Sequence, residues 1–224
     1  MERSIDYLRV SLTDRCDLNC IYCTPLGKGQ CLSHDEVLRY EEIKVVVAAF
    51  VKAGIKKVRL TGGEPLIKKD ILSLVSLLKS IEGLEELSMT TNGTLLSLYA
   101  TRLKEAGLDR INISLDTLKK ERFIYITGKD YFDQVWAGVL TSLESGFRIV
   151  KLNIVPMQGL NDDEIADFAR LTLKYPLSVR FIELFQTNLR SKKLIDSLVT
   201  SEMAKKEIRN KLGRLEPVFC VIGN

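Results

Sequence analysis

Six short runs rich in β-branched and apolar residues recur along the chain: Tyr7–Leu12, Lys57–Thr61, Glu86–Thr91, Arg110–Leu115, Ile149–Val155 and Ser178–Leu184. From Tyr7 to Ser178 is 171 residues, five steps of roughly 34, the length scale of a βαβ unit. Helical patterns fill the gaps, and each stops at glycine or proline as helix ends require. Glu41–Ala53 stops at Gly54 and Leu96–Ala106 at Gly107. Lys69–Ile81 has its capping candidate in Lys68–Asp70 and ends near Gly83. Tyr131–Ser145 stops at Gly146, and Asp162–Lys174 runs from Asn161 to just short of Pro176. After Leu184 the rhythm ceases; Gln186–Lys193 is polar, and Thr200–Leu212 reads as a seventh helix with Ser201 as its cap.

The faces of the strands decide the architecture. Successive strand residues point to opposite sides. Leu8 and Val10 oppose Arg9 and Ser11; Val58 and Leu60 oppose Arg59 and Thr61. Leu87 and Met89 oppose Ser88 and Thr90; Ile111 and Ile113 oppose Asn112 and Ser114. Val150, Leu152 and Ile154 oppose Lys151 and Asn153, while in the last run Ile182 breaks the pattern by sharing a face with Arg180. A doubly wound sheet, covered by helices on both sides, reads as continuous apolar strands. A closed barrel fills its interior with branched aliphatics. One greasy and one polar face on helix-connected strands predicts an α/β fold, a partial (β/α)6 TIM-type barrel of parallel strands with a polar lumen. The competing antiparallel sheet with one wet face is disfavoured by the long helical crossovers.

Composition narrows the class. With 46% apolar and 28% charged residues among 224, the chain has ample material for a core. No apolar run approaches the ~18–20 residues of a membrane span. Charges at Glu2, Arg3, Asp6 and Arg9 give no sign of a signal peptide, so a cytoplasmic protein without membrane partners is expected. A net charge of +4 does not announce nucleic acid but accommodates a small anionic substrate. The single histidine, His34, makes a Ser-His-Asp triad improbable.

Of five cysteines, four lie between Cys16 and Cys31. An odd count without a secretory signal reads as metal binding. Cys16, Cys20 and Cys23 form C-x3-C-x2-C just beyond the first strand, at the barrel face where active sites lie. Such a loop can hold three irons of a 4Fe–4S cluster, leaving one open for chemistry. A structural zinc site completed by Cys31 is the alternative, but its spacing is a poor match. Gly62-Gly63-Glu64-Pro65 follows the second strand directly. Its glycines let a ligand approach the backbone and its carboxylate can bind an ammonium group.

These motifs resemble the radical S-adenosylmethionine (SAM) enzymes, through Thr13-Asp14-Arg15-Cys16, Cys20, Tyr22, Cys23 and Thr61-Gly62-Gly63-Glu64-Pro65. The closer resemblance is to the GTP 3',8-cyclase family of molybdenum cofactor biosynthesis. It is carried by Leu8-Arg9-Val10-Ser11, Thr90-Thr91-Asn92-Gly93, Asn112-Ile113-Ser114-Leu115-Asp116, Gly159-Leu160-Asn161-Asp162 and Arg180-Phe181-Ile182-Glu183. The resemblance implies that Cys16, Cys20 and Cys23 ligate one 4Fe–4S cluster whose open iron takes the amino and carboxylate groups of SAM. One electron then releases a 5'-deoxyadenosyl radical to rearrange GTP, a lyase reaction. It implies SAM contacts at Tyr22, Gly63, Glu64 and Ser114; Phe185 falls where the family often has Met, so its contact is expected through the backbone. Arg9, Arg59, Thr90 and Lys151 would hold GTP, with Arg180 assisting. The same resemblance implies a reductant protein that donates one electron, and allows a homodimer.

The family continues for about a third again of its length, with three more cysteines for a second cluster that binds guanine. Here the only late cysteine is Cys220. The expected division is therefore a radical SAM barrel over 1–198, with 199–224 as a helix and the start of an extension. A truncated cyclase, a short radical SAM relative acting on another nucleotide or a peptide, and a metal- or nucleotide-binding remnant stay open at this stage. The expectation for these residues alone is SAM cleavage without efficient cyclisation of GTP.

Overall fold

Strands that alternate with helices end to end leave little chain for anything but parallel pairing. The computed structural model describes residues 5–23, 32–33, 36–185, 194 and 196–218; His34, Cys31 and Cys220 lie outside the described residues, as does the polar stretch 186–193. The strands are β1 (Tyr7–Ser11), β2 (Lys57–Thr61), β3 (Glu86–Thr91), β4 (Arg110–Ser114), β5 (Ile149–Ile154) and β6 (Ser178–Phe181). The helices are α1 (Tyr40–Lys52), α2 (Ile71–Lys79), α3 (Leu96–Glu105), α4 (Lys120–Thr127), α5 (Phe132–Glu144), α6 (Ile165–Lys174) and α7 (Ser201–Leu212). All six strands pair in parallel, in the order β1-β2-β3-β4-β5-β6. A doubly wound sheet reverses direction at a switch point. This order never reverses, so each crossover winds the same way and the sheet curls into an open barrel with β1 and β6 as its edges.

Register carries the polar positions into line. Arg9 lies beside Arg59, Asn112 beside Lys151, and Asn153 beside Arg180. On the other face Val58, Leu60, Leu87, Met89, Ile111, Ile113 and Leu152 are fully buried against the helices. Each such side chain contributes about 1.5–3 kcal/mol by leaving water. The polar face is largely buried as well, at Arg59, Ser88, Arg110, Asn112 and Lys151. Curvature explains this: the fields of Arg59 on β2 and Arg180 on β6 act on each other across the lumen.

Several local expectations are corrected. α4 had no counterpart in the sequence pattern; only Phe123, Ile126 and Thr127 of its eight residues are buried, too few for a clear apolar stripe. Asp70 precedes α2 in the left-handed region (φ 56°) and makes no side-chain cap. The segment from Asp162 begins as a 3-10 turn (Asp162–Glu164) before α6. Thr200, not Ser201, caps α7 by accepting from Met203 N. β6 ends at Phe181, so Ile182, the residue that broke the alternation, is outside the strand. Ala204 and Ile208 of α7 cluster with Val199 and with Ile165 of α6. Among the described residues no helix is long and apolar enough to cross a membrane.

Candidate functional site

The loop after β1 is laid against the turn after β2. Leu12 N donates to Thr61 O at 2.9 Å, Gly63 N to Thr13 O at 2.6 Å and Glu64 N to Arg15 O at 2.8 Å. A Cβ on Gly63 would sit 2.0 Å from Arg15 O, and one on Gly62 (φ +147°) 2.5 Å from Thr13 O. The sequence pointed to a ligand approaching these glycines; along their Cβ directions it is the chain's own backbone that makes the close approach. Further along the loop, Asn19 N and Ile21 N donate to Thr127 O and Ile126 O of α4, each at 2.9 Å. This anchoring gives the unpredicted helix a purpose.

Three side-chain braces complete the loop's attachment. The Glu64 carboxylate is fully buried and accepts from Leu66 N (2.9 Å), Thr91 Oγ1 (2.7 Å) and Asn92 N (2.6 Å). Burial pushes its carboxyl up to about 7, while these three donors pull the other way. With both oxygens engaged, this carboxylate ties the turns after β2 and β3 together. Asp17 accepts from Asn92 Nδ2 (2.7 Å) and Thr94 Oγ1 (2.6 Å). Tyr22 donates its hydroxyl to Asp116 Oδ2 at 2.5 Å, and Asp116 Oδ1 accepts from Val155 N. Asn161 Nδ2 reaches Asp116 O and Val155 O, joining the loops after β4 and β5. Burial raises Asp116 to about 6. Ser114 lines a small cavity of about 30 Å³ with Cys20, Tyr22, Asn92 and Asp116. Phe185, beyond β6, is largely exposed.

The lumen is cationic. Arg9 is exposed on the edge strand, Arg180 half-buried, and Arg59 and Lys151 buried. Among the described residues none of these four is ion-paired to a carboxylate. Burial, followed by the fields of Arg180, Arg110 and Arg59, pushes the Lys151 amine down to about 8. Arg59 stacks on the Tyr7 ring at 5.1 Å. Sequence reasoning missed Glu86 and Arg110, which continue the polar face two residues toward the barrel floor and form a buried pair at 2.8 Å. Extending the alternation to the first residue of each strand would have found both. Tyr7 Oη, Thr90 Oγ1 and Asn153 Oδ1 are buried without a hydrogen-bond partner. All three belong to the lumen face, and buried polar atoms are rarely left orphaned.

The donor set fits an iron–sulfur group with a nucleotide-like ligand beside it. Cys16 and Cys20 are partly buried and Cys23 is exposed. Burial pushes Cys16 up to about 11 and raises Cys20 further, so both stay thiols until a metal displaces the proton. Among the described residues no three of His, Cys, Asp or Glu converge closely enough for one metal ion. The orphaned lumen oxygens and unpaired cations next door suit a ligand with both donors and negative charge.

The family model that matches, over residues 10–172, is that of the radical SAM superfamily. The chain belongs to the radical SAM superfamily. Membership implies a 4Fe–4S cluster and SAM, and Cys16, Cys20 and Cys23 are present in the expected loop. Among relatives, a GTP 3',8-cyclase of Heliobacterium modesticaldum is 48% identical over 213 residues, 95% of this chain and 65% of its own length. A second, of Moorella thermoacetica, is 46% identical over 217 residues, 97% of this chain and 66% of its own. The chain thus spans just under two thirds of the length of these curated relatives. The radical SAM fold recurs in methylornithine synthase (TM-score 0.69, 16% identity, covering 91% of this chain and 61% of that one). It recurs also in HydG, a maturase of FeFe-hydrogenase (TM-score 0.68, 17% identity, covering 91% and 48%). At such identities the likeness concerns the fold alone.

Proposed function

We propose that this chain is the radical-generating barrel of a GTP 3',8-cyclase acting in molybdenum cofactor biosynthesis. The observation that carries the reading is the set of unpaired cations converging from β1, β2, β5 and β6 onto one lumen, beside the cysteine loop. A triphosphate is the small ligand that such a set matches best, since charge-assisted bonds to phosphate are the strong ones. Similarity to the cyclases over 95% of the chain supports the same substrate.

In this reading Cys16, Cys20 and Cys23 ligate one 4Fe–4S cluster, and SAM occupies its remaining position. When bound, the two supply reductive carbon–sulfur cleavage and a carbon-centred radical. The chain's residues bind, orient and shield. Tyr22, Gly63, Glu64, Ser114 and Phe185 border the SAM side, Glu64 through its backbone and its brace on the neighbouring turn. Arg9, Arg59, Thr90, Lys151 and Arg180 hold GTP, with Lys151 and Arg59 drawing the phosphates down the lumen. The tie from Tyr22 through Asp116 to Val155, just after β5, keeps the cysteine loop in register with the substrate strands, the kind of placement on which rate depends steeply. Residues 1–198 form the barrel unit and α7 begins a following one; a one-electron donor protein and a homodimer belong to the same reading.

The test is calorimetry of the anaerobically reconstituted protein with GTP and guanosine. GTP should bind more tightly, and Lys151→Ala should weaken it by about 1.5–3 kcal/mol, the range for a hydrogen bond to a charged group. Equal affinity for GTP and guanosine would remove the phosphate assignment. Chromatography of a reaction with dithionite, SAM and GTP then reports 5'-deoxyadenosine and cyclised product separately.

A further inference from the structure

The turn after β3 holds one side chain against the cysteine loop with unusual constraint. Asn92 is fixed at its backbone by Glu64 Oε2 (2.6 Å). Its Oδ1 accepts from Thr94 N at 3.0 Å, which settles which end of the amide is oxygen. The Nδ2 end therefore carries two hydrogens in known directions. One goes to Asp17 Oδ1 at 2.7 Å. The other faces Cys16 Sγ at 3.7 Å, within range for a hydrogen bond to sulfur. Asp17 is itself held by Thr94 Oγ1 at 2.6 Å, so the amide cannot swing away without breaking several bonds.

The arrangement answers an electrostatic problem. As a thiol, Cys16 points its proton toward Asp17 Oδ1 at 3.9 Å. As an iron ligand it would have lost that proton and would face a carboxylate of like charge. The Asn92 amide touches both groups, so its hydrogens screen the sulfur from the carboxylate. Hydrogen bonds to cluster sulfurs favour the reduced, more negative state and raise the potential. We propose that Asn92 is a positioning residue that donates Nδ2–H to the Cys16 thiolate in the cluster-loaded protein and raises the cluster's reduction potential, with Asp17 aiming the amide.

This rests on the cluster reading, and the experiment separates the two. Wild type, Asn92→Ala and Thr91→Val are reconstituted anaerobically and titrated potentiometrically without SAM, with the reduced cluster followed by electron paramagnetic resonance. Thr91→Val removes the hydroxyl that donates to Glu64 and accepts from Gly93 N, without touching Cys16, so it controls for loosened structure. Asn92→Ala should lower the reduced-to-oxidised ratio at fixed ambient potential about tenfold, ~59 mV for one electron, while Thr91→Val should leave it unchanged. An unchanged midpoint in Asn92→Ala, or an equal shift in Thr91→Val, overturns the inference. Should Asn92→Ala fail to load, wild type carrying 15N in asparagine side chains decides: a 15N coupling to the reduced cluster supports the inference and its absence overturns it. Failure of wild type to take up iron and sulfide removes the cluster reading and this inference together.

Discussion

Glu86 is the only carboxylate among the lumen-facing strand residues, and its removal offers the sharpest test of how the lumen is balanced. Its oxygens accept from Arg110 Nη1 at 3.0 and 2.8 Å, with side chains 9% and 5% exposed. The desolvation of both ions is largely complete, so breaking the pair from one side leaves a buried charge uncompensated, at a cost of about 3–5 kcal/mol. The setting worsens this, because the fields of Arg59 and Lys151 already act there. Glu86→Gln retains one acceptor for Arg110, which places it near the lower end, about 3 kcal/mol. Against a total stability of about 5–15 kcal/mol this is a large fraction. Arg110→Met should cost a similar amount, whereas Glu86→Gln/Arg110→Met should cost much less than the sum, with a coupling of about 2–3 kcal/mol. The assay is urea denaturation of the unloaded protein followed by far-UV circular dichroism. Tripolyphosphate should restore Glu86→Gln more than it stabilises wild type, since an anion that binds only the folded state shifts the equilibrium. A Glu86→Gln variant within about 0.5 kcal/mol of wild type, the range of ordinary surface changes, would refute the reasoning.

Gly63→Ala should abolish cluster loading, because its Cβ would meet backbone at Arg15, whereas Gly146→Ala, with nothing within 4 Å, should cost about 1 kcal/mol and leave loading intact; iron content of both checks this. Lys151 titrates near 8 when folded against 10.5 ordinarily, so the unfolded chain binds the extra proton between those values and stability should rise with pH across that window. Triphosphate affinity should move oppositely, falling as pH rises through about 8, with proton uptake on binding seen by calorimetry in buffers of different ionisation enthalpy. Asp116→Asn should cost about 1.5–3 kcal/mol in urea denaturation by weakening the charged bond to Tyr22.

The strand faces were legible because a barrel with a polar lumen imposes alternation on its strands: the runs from Tyr7, Lys57 and Arg110 obey it throughout, and the runs from Glu86 and Ile149 depart from it only at Thr91 and at the terminal Ile149 and Val155. The cysteine spacing was legible because ligand geometry acts locally. What escaped the sequence was mostly non-local. The Glu64 carboxylate is within reach of Thr91 and Asn92 only once β2 and β3 pair. Likewise Asp17, Asn92 and Thr94 meet across 75 and 77 residues of chain. α4 was hidden because its buried face, Phe123, Ile126 and Thr127, is too short for a clear apolar stripe, and its two backbone acceptors for the cysteine loop leave no mark in the pattern. The glycines of the turn after β2 were found, but not the close packing of the Thr13 and Arg15 backbone along their Cβ directions, which exists only once the turn and the cysteine loop meet.

The most direct test of the account is the iron and acid-labile sulfide content of the anaerobically reconstituted protein, beside a variant carrying Cys16→Ala, Cys20→Ala and Cys23→Ala. Wild type should hold about four irons and four sulfides per chain, and the triple variant essentially none. Stoichiometric zinc in place of iron, or an iron–sulfur content undiminished in the triple variant, would contradict the assignment of this loop.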